Sequence, residues 1–219
     1  MRLYLSLSKN SSTVPFDHLP ALVGALHKWI GKENKIHGET ALYSFSWLQG
    51  AKPKEGGLNF PSGSEWFISV YDVVLLKSIL QGIQKDPTIN YGLAVTEIMI
   101  KPDPEFNSEK LFSVASPVLV KKRIDEKVKH FVFTEKESDK LLTETLKTKL
   151  QKAGLNTSGV EVLFDRNYNA AKTKKVNYKG IGNLSNICPV IVKGTPEQIA
   201  FAWNVGIGNS TGIGFGALN

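Results

Sequence analysis

The chain carries a glycine-rich run near its C-terminus, and this run restricts how that part of the chain can fold. Residues 206–216 read Gly-Ile-Gly-Asn-Ser-Thr-Gly-Ile-Gly-Phe-Gly. The segment before it, 196–205, begins with proline and has the apolar spacing of a helix. Glycines at this density allow left-handed backbone angles and let a ligand such as a phosphate approach main-chain N–H groups.

The position of this run argues against two common phosphate-binding loops. Dinucleotide and Walker loops lie between a strand and a helix whose N-terminus faces the phosphate. Here only three residues follow Gly216, too few for another helix, and the run lacks Gly-Lys-Ser/Thr. We therefore expect the loop to join a helix to a short final strand. A plain helix-to-strand turn without a ligand is the alternative.

The glycine spacing, Gly-apolar-Gly, five residues and Gly-apolar-Gly, resembles the signature of the CRISPR-associated RNA-binding superfamily. It is most similar to the branch that processes CRISPR repeat transcripts, the sixth Cas family. The resemblance implies tandem ferredoxin-like domains, a CRISPR repeat RNA as partner, and cleavage without a cofactor or metal. Further CRISPR effector subunits are implied as partners, with a monomer or a homodimer as the assembly. The glycines expected to contact RNA are Gly206, Gly208, Gly212, Gly214 and Gly216.

Hydrophobic periodicity independently permits a ferredoxin-like domain over residues 1–101. Alternating leucines predict a strand at 2–8, and an apolar stripe predicts a helix over about 19–30. Asp72 begins a second helix that runs to about residue 85. Further strands are predicted at 42–47, 57–60, 66–70 and 91–100. This order is that of an α+β fold with two helices on one face of an antiparallel sheet.

A polar, proline-rich segment at 101–108 predicts a boundary before a second domain at 109–219. Strands are predicted there at 112–121, 130–134, 160–164 and 176–193, with a helix at 138–153 before the one at 196–205. The second half repeats the first half's pattern loosely. The predicted architecture is two tandem ferredoxin-like (RRM-like) domains.

The net positive charge comes entirely from the second half. The net charge is +7, but residues 1–105 carry 10 Lys/Arg against 10 Asp/Glu, whereas residues 106–219 carry 17 against 10. RNA would explain the excess, because cations that neutralise phosphates release counterions; solubility alone is the alternative. The densest basic runs are Lys121, Lys122 and Arg123, and Lys172, Lys174 and Lys175.

Other classes of site find little support in the sequence. Its apolar runs are too short to span a membrane. The single cysteine, Cys188, excludes an internal disulfide and a cysteine-based zinc site, which suggests a reducing cytoplasm. Acidic residues are scattered, without the Asp-x-Asp or His-x-x-x-His spacing of a metal site. Metal-free acid–base chemistry on RNA remains, in which a ribose 2′-hydroxyl attacks the adjacent phosphate.

The resemblance places a catalytic histidine in the first predicted helix or just after it. His37, in the polar segment after that helix, is the first candidate, and His27 on the helix is the second. A packing role competes for His27, which adjoins the apolar Leu26 and Ile30. Family members pair the histidine with Tyr, Lys or Ser, so Tyr43, Ser44 and Lys52 are secondary candidates.

Lys28 and Lys32 lie near these histidines in the sequence and could meet a phosphate. The implied products are a 5′-hydroxyl and a 2′,3′-cyclic phosphate. The rival hypothesis is a non-catalytic RNA-binding subunit that shares the glycine-rich loop.

Overall fold

The first half of the chain forms a four-stranded antiparallel sheet. The computed structural model describes residues 1–31 and 40–219. The strand order is β2 (Tyr43–Phe45), β5 (Ser64–Val70), β1 (Arg2–Leu7) and β6 (Val95–Lys101). A small hairpin of β3 (Lys52–Lys54) and β4 (Gly57–Asn59) interrupts the connection from β2 to β5.

Two helices, α1 (Leu19–Ile30) and α2 (Val73–Lys85), share a core with this sheet. Alternate residues of β1, Leu3 and Leu5, are fully buried in that core because successive side chains of a strand point to opposite faces. The helix α1 has the predicted bounds, and Asp72 caps α2 by accepting a hydrogen bond from the amide of Val74 at 2.8 Å.

The second half builds a three-stranded antiparallel sheet in the order β10 (Glu161–Phe164), β13 (Val190–Lys193) and β7 (Glu109–Phe112). Helices α3 (Lys136–Lys152) and α4 (Pro196–Val205) pack in its core. Two hairpins lie outside this sheet: β8 (Lys121–Ile124) with β9 (Lys127–His130), and β11 (Lys172–Tyr178) with β12 (Ile181–Ile187). The tandem ferredoxin-like prediction for the fold is confirmed.

Three predicted strands differ from the structure. Residues 131–134 of the strand predicted at 130–134 lie beyond β9, because the amides of Val132 and Phe133 donate to the side chains of Glu135 and Asn186 and not to a neighbouring strand. The strand predicted at 112–121 is broken, because Pro117 has no amide to donate and its neighbours bond elsewhere: Ala115 donates to Ala217 O and Val118 to Asn186 O, both at 2.8 Å. The final strand shrinks to a single bridge between Val114 and Leu218. Ahead of it, Thr211–Ile213 forms a 3₁₀ turn.

Arg2 joins the two halves. Arg2 is 1% exposed, and its guanidinium lies between two rings, 3.8 Å from the centroid of Phe67 and 3.4 Å from that of Trp203. It donates to Leu218 O at 2.8 Å. Burial lowers its pKa to about 10, so it keeps its charge at neutral pH. The first sheet is thereby held against α4 and the C-terminal residues, which brings the glycine-rich loop against the first half.

Within the described residues, no helix is both long and apolar enough to cross a membrane.

Candidate functional site

A cleft of about 660 Å³ opens where the two halves meet, and the glycine-rich loop lines it. The first half contributes His27 from α1 and Tyr43 from β2. The second half contributes Lys121 and Lys122 from β8. Further lining residues lie on α3: Glu144, Thr145, Thr148 and Lys149. The cleft thus combines an imidazole, a phenol and several cations, a set of groups suited to binding a polyanion and moving protons.

Close packing accounts for the glycines of the loop. Gly216 has φ +66°, and a Cβ there would lie 1.9 Å from Ile207 O. A Cβ on Gly212 would lie 2.8 Å from that of Ala41. Gly206, Gly208 and Gly214 have equally little room, with another atom closer than 3.0 Å to the Cβ position. The glycines therefore let the loop touch β2 and its own base, which is a different reason from the approach of a ligand.

Most loop amides are already engaged within the protein. Ile207 N donates to Gly216 O at 2.8 Å, and Gly216 N donates to Pro117 O at 2.9 Å. The amides of Gly206, Asn209, Ile213 and Gly214 also donate to backbone carbonyls. By contrast, the amides of Gly208 and of residues 210–212 have no acceptor in the described ranges 1–31 and 40–219. These residues line the cleft, so they are the loop positions that can offer main-chain donors to an anion.

Of the two candidate histidines, the structure describes only His27. His27 is half-buried and lines the cleft from the last turn of α1. His37 and Lys32 lie outside the described residues, so the assignments to them stay predictions. The described chain resumes at Thr40, which also lines the cleft.

The secondary candidates are separated by the fold. Tyr43 lies in the cleft, with its hydroxyl donating to Gly212 O at 3.4 Å. Burial raises the pKa of Tyr43 to about 12, which keeps the phenol protonated at neutral pH. Ser44 is fully buried, and its hydroxyl donates to Asn204 O at 3.1 Å, as a link between β2 and α4. Lys52 is exposed on the β3–β4 hairpin and does not belong to the cleft lining.

The described basic residues that were predicted to contact RNA fall into three groups. Lys121 and Lys122 line the cleft, and the exposed Arg123 continues their strand. Lys172, Lys174 and Lys175 are exposed on β11, outside the cleft lining. The ammonium of Lys174 lies 4.7 Å from the ring centroid of Trp47 in the first half.

Lys28 forms the third group. Its ammonium donates to the carboxylate of Asp86 at 2.7 Å and to Thr88 O at 2.6 Å. This predicted phosphate contact is therefore already paired within the first half.

The sequence interpretation missed Lys149. This residue is 3% exposed, and its ammonium donates to Val205 O at 3.3 Å, Gly206 O at 3.0 Å and Thr211 Oγ1 at 3.2 Å. A signal existed, because Lys149 falls in the apolar stripe of α3 at helical spacing from Leu142 and Leu146. In the part of the chain that the structure describes, no group of three or more His, Cys, Asp and Glu residues is arranged to hold a metal ion.

Comparisons with known proteins agree with this architecture. The family model described as "CRISPR associated protein Cas6, C-terminal" matches residues 101–219. No curated protein matches the chain.

Solved structures share the fold over almost their whole length. The product of a Cas6-related gene from Pyrococcus furiosus is 20% identical, with 100% of this chain and 97% of that chain covered and a TM-score of 0.86. An RAMP protein that binds different RNA substrates is 18% identical, with coverage of 100% and 98% and a TM-score of 0.84. Cse3 of Thermus thermophilus, bound to an RNA representing a pre-cleavage complex, is 14% identical, with coverage of 100% and 98% and a TM-score of 0.51. By its family match and its fold, this chain belongs to the Cas6 family of CRISPR-associated proteins.

Proposed function

We propose that this protein is a metal-independent endoribonuclease that binds CRISPR repeat RNA in the cytoplasm and cuts the precursor transcript within each repeat. The observation that carries the proposal is the cleft between the halves. It combines His27, Tyr43, two lysines and loop amides that have no acceptor among the described residues, in a member of the Cas6 family. RNA bound to two of its structural relatives supports the same partner.

The proposed reaction is an in-line transfer within the RNA. A base takes the proton of the ribose 2′-hydroxyl, whose oxygen attacks the adjacent phosphorus while the bond from phosphorus to the 5′-oxygen breaks. An acid gives a proton to that leaving oxygen. The products are a 2′,3′-cyclic phosphate and a 5′-hydroxyl. Charge builds on the non-bridging oxygens, where nearby cations and N–H donors stabilise it.

The groups that line the cleft, together with His37 as the sequence predicts it, can be assigned to these steps by their chemistry. His27 and His37 would serve as the base and the acid, in either order, since imidazole has both forms available near neutral pH. Tyr43 stays protonated and would donate a hydrogen bond. Lys121, Lys122 and the amides of residues 210–212 would hold the phosphate oxygens.

The test is cleavage of labelled repeat RNA from the CRISPR array of the source genome, in EDTA. We expect cutting at one phosphodiester, and no cutting when the nucleotide before it carries a 2′-deoxyribose, because the attacking hydroxyl is then missing. Cleavage that EDTA abolishes would contradict the metal-independent mechanism. Tight binding without cleavage would favour the rival function, a non-catalytic RNA-binding subunit.

The β11 lysines give a separate prediction about binding. Replacing Lys172, Lys174 and Lys175 with Gln is expected to weaken repeat binding and to reduce the slope of log Kd against log salt by up to about 3, because each phosphate contact contributes roughly one counterion. The three side chains are exposed, so the fold should persist. Fluorescence anisotropy over a salt series measures the slope. The matched control is Lys136, Lys140 and Lys147→Gln on α3, which removes equal charge, and equal slopes for the two triple variants would contradict the prediction.

A further inference from the structure

The ammonium of Lys149 connects two distant points of the glycine-rich loop. Two of its acceptors, Val205 O and Gly206 O, are carbonyls at the C-terminal end of α4, where the loop begins. The third, Thr211 Oγ1, lies in the middle of the loop, next to the amides of Ser210 and Gly212, which have no acceptor in the described part of the chain. One side chain of α3 therefore fixes the middle of the loop relative to its start.

This ammonium is buried without a carboxylate partner among the residues that the structure describes. Its compensation comes from the negative end of the α4 dipole and from the three oxygen acceptors. The titratable groups that line the cleft around it are His27 of α1, Tyr43 of β2, Lys121 and Lys122 of β8, and Glu144 of its own helix. Desolvation by burial lowers the pKa of Lys149 to about 7.

Packing alone does not account for a lysine at this position. Burial of an ammonium without a counter-ion destabilises a fold, and an unbranched apolar side chain such as methionine would fill the same stripe of α3 without that cost. The ammonium of Lys149 instead holds the glycine-rich loop, through its hydrogen bonds to the start and the middle of that loop. A phosphate near residues 210–212 would supply the counter-ion that no described residue provides.

We propose that Lys149 is a positioning residue that holds the middle of the loop for phosphate binding, and that RNA binding in the cleft is coupled to proton uptake by its amine. This inference rests on the proposed function, because RNA is the source of the phosphate. Lys149 contacts the loop and acts through it on the RNA.

The coupling has a definite sign. A bound phosphate favours the ammonium, so repeat affinity falls as the pH rises above 7 and the free protein loses that proton. Stability of the free protein follows the opposite trend. The pKa of Lys149 in the folded protein, about 7, lies below the ordinary value of 10.5. Between these two pH values the unfolded chain binds more protons than the folded chain, so the free energy of unfolding rises with pH. A merely structural lysine would not make affinity fall while stability rises.

The experiment compares wild type, Lys149→Met and the control Lys147→Met, which removes an exposed charge from the same helix. The probe is labelled repeat RNA with a 2′-deoxyribose before the scissile phosphate, so that binding is measured without cleavage. From pH 7.0 to 8.5 we expect wild-type and Lys147→Met affinity to fall about tenfold, as loss of one proton dictates. Lys149→Met should bind about tenfold more weakly at pH 7.0 and change little with pH.

Two readouts keep the inference testable if Lys149→Met unfolds. Thr211→Val removes one acceptor of the ammonium and should weaken binding. Calorimetry of wild type at pH 8.0, in two buffers of different ionisation enthalpy, should show uptake of close to one proton per RNA bound, and zero uptake would overturn the proposal. The proposal would also be overturned if Lys149→Met bound the RNA with the same affinity and the same pH dependence as wild type. Absence of wild-type binding would contradict the proposed function, and this inference with it.

Discussion

Replacing His27 and His37 together with alanine is expected to lower the cleavage rate of repeat RNA by about 10²–10⁴, because a positioned general acid or base contributes about that much. Binding should stay nearly unchanged, since an imidazole that moves a proton supplies little of the affinity of a polyanion. Single-turnover cleavage at saturating protein measures the rate. Anisotropy with the 2′-deoxy repeat measures the affinity separately.

The single variants divide the roles between the two histidines. If both histidines transfer protons, each single replacement lowers the cleavage rate strongly. The rate of the double variant is then only a little lower, because the effects of replacing groups that act as a unit are not additive. His130→Ala is the matched control, since this histidine ends β9 and does not belong to the cleft lining. A double variant that cuts at the wild-type rate would remove both residues from the mechanism and contradict the assignment of the acid and the base to the two histidines.

Helical and strand elements of the first half were predictable because their apolar spacing is regular. The helix at 19–30 and the Asp72 cap came from local pattern, and local chemistry decides both. The broken strand after Phe112 was not predictable in the same way. There the backbone amides of Ala115 and Val118 bond to residues 217 and 186, and such distant partners leave no local trace in the sequence.

The glycine-rich loop was found for a reason that the structure revises. Its spacing pointed to the correct family, whereas the close approach that the glycines allow is mostly to protein atoms. Sequence alone could not separate these, since a phosphate and a neighbouring strand both require the missing Cβ. Lys149 is a residue whose unusual position, within the apolar stripe of α3, can be read from the sequence. Its hydrogen-bond acceptors, and with them its role, can be read only from the structure.

Gly216 gives the second prediction. Gly216→Ala is expected to lower the free energy of unfolding by about 2–3 kcal/mol, from about 1–2 kcal/mol for a left-handed alanine and about 1 kcal/mol for a disrupted hydrogen bond. Its φ is +66°, and the new Cβ would lie 1.9 Å from Ile207 O, the carbonyl of a residue whose amide bonds to Gly216 O. The Ile207 oxygen belongs to the backbone and the new Cβ is fixed to its own Cα, so neither atom can rotate away. Chemical denaturation of wild type and variant measures the difference.

The control for Gly216→Ala is Gly154→Ala, at the end of α3. Gly154 has φ +73°, yet no atom lies within 4 Å of its Cβ position, so this variant carries the left-handed strain without the collision. Gly216→Ala should therefore be clearly less stable than Gly154→Ala and should also bind repeat RNA more weakly, because the Ile207–Gly216 bond closes the base of the loop. Equal stabilities would mean that the collision relaxes at little cost. An unchanged RNA affinity in a destabilised Gly216→Ala would show that the loop's closed base is not needed to hold residues 210–212 for RNA.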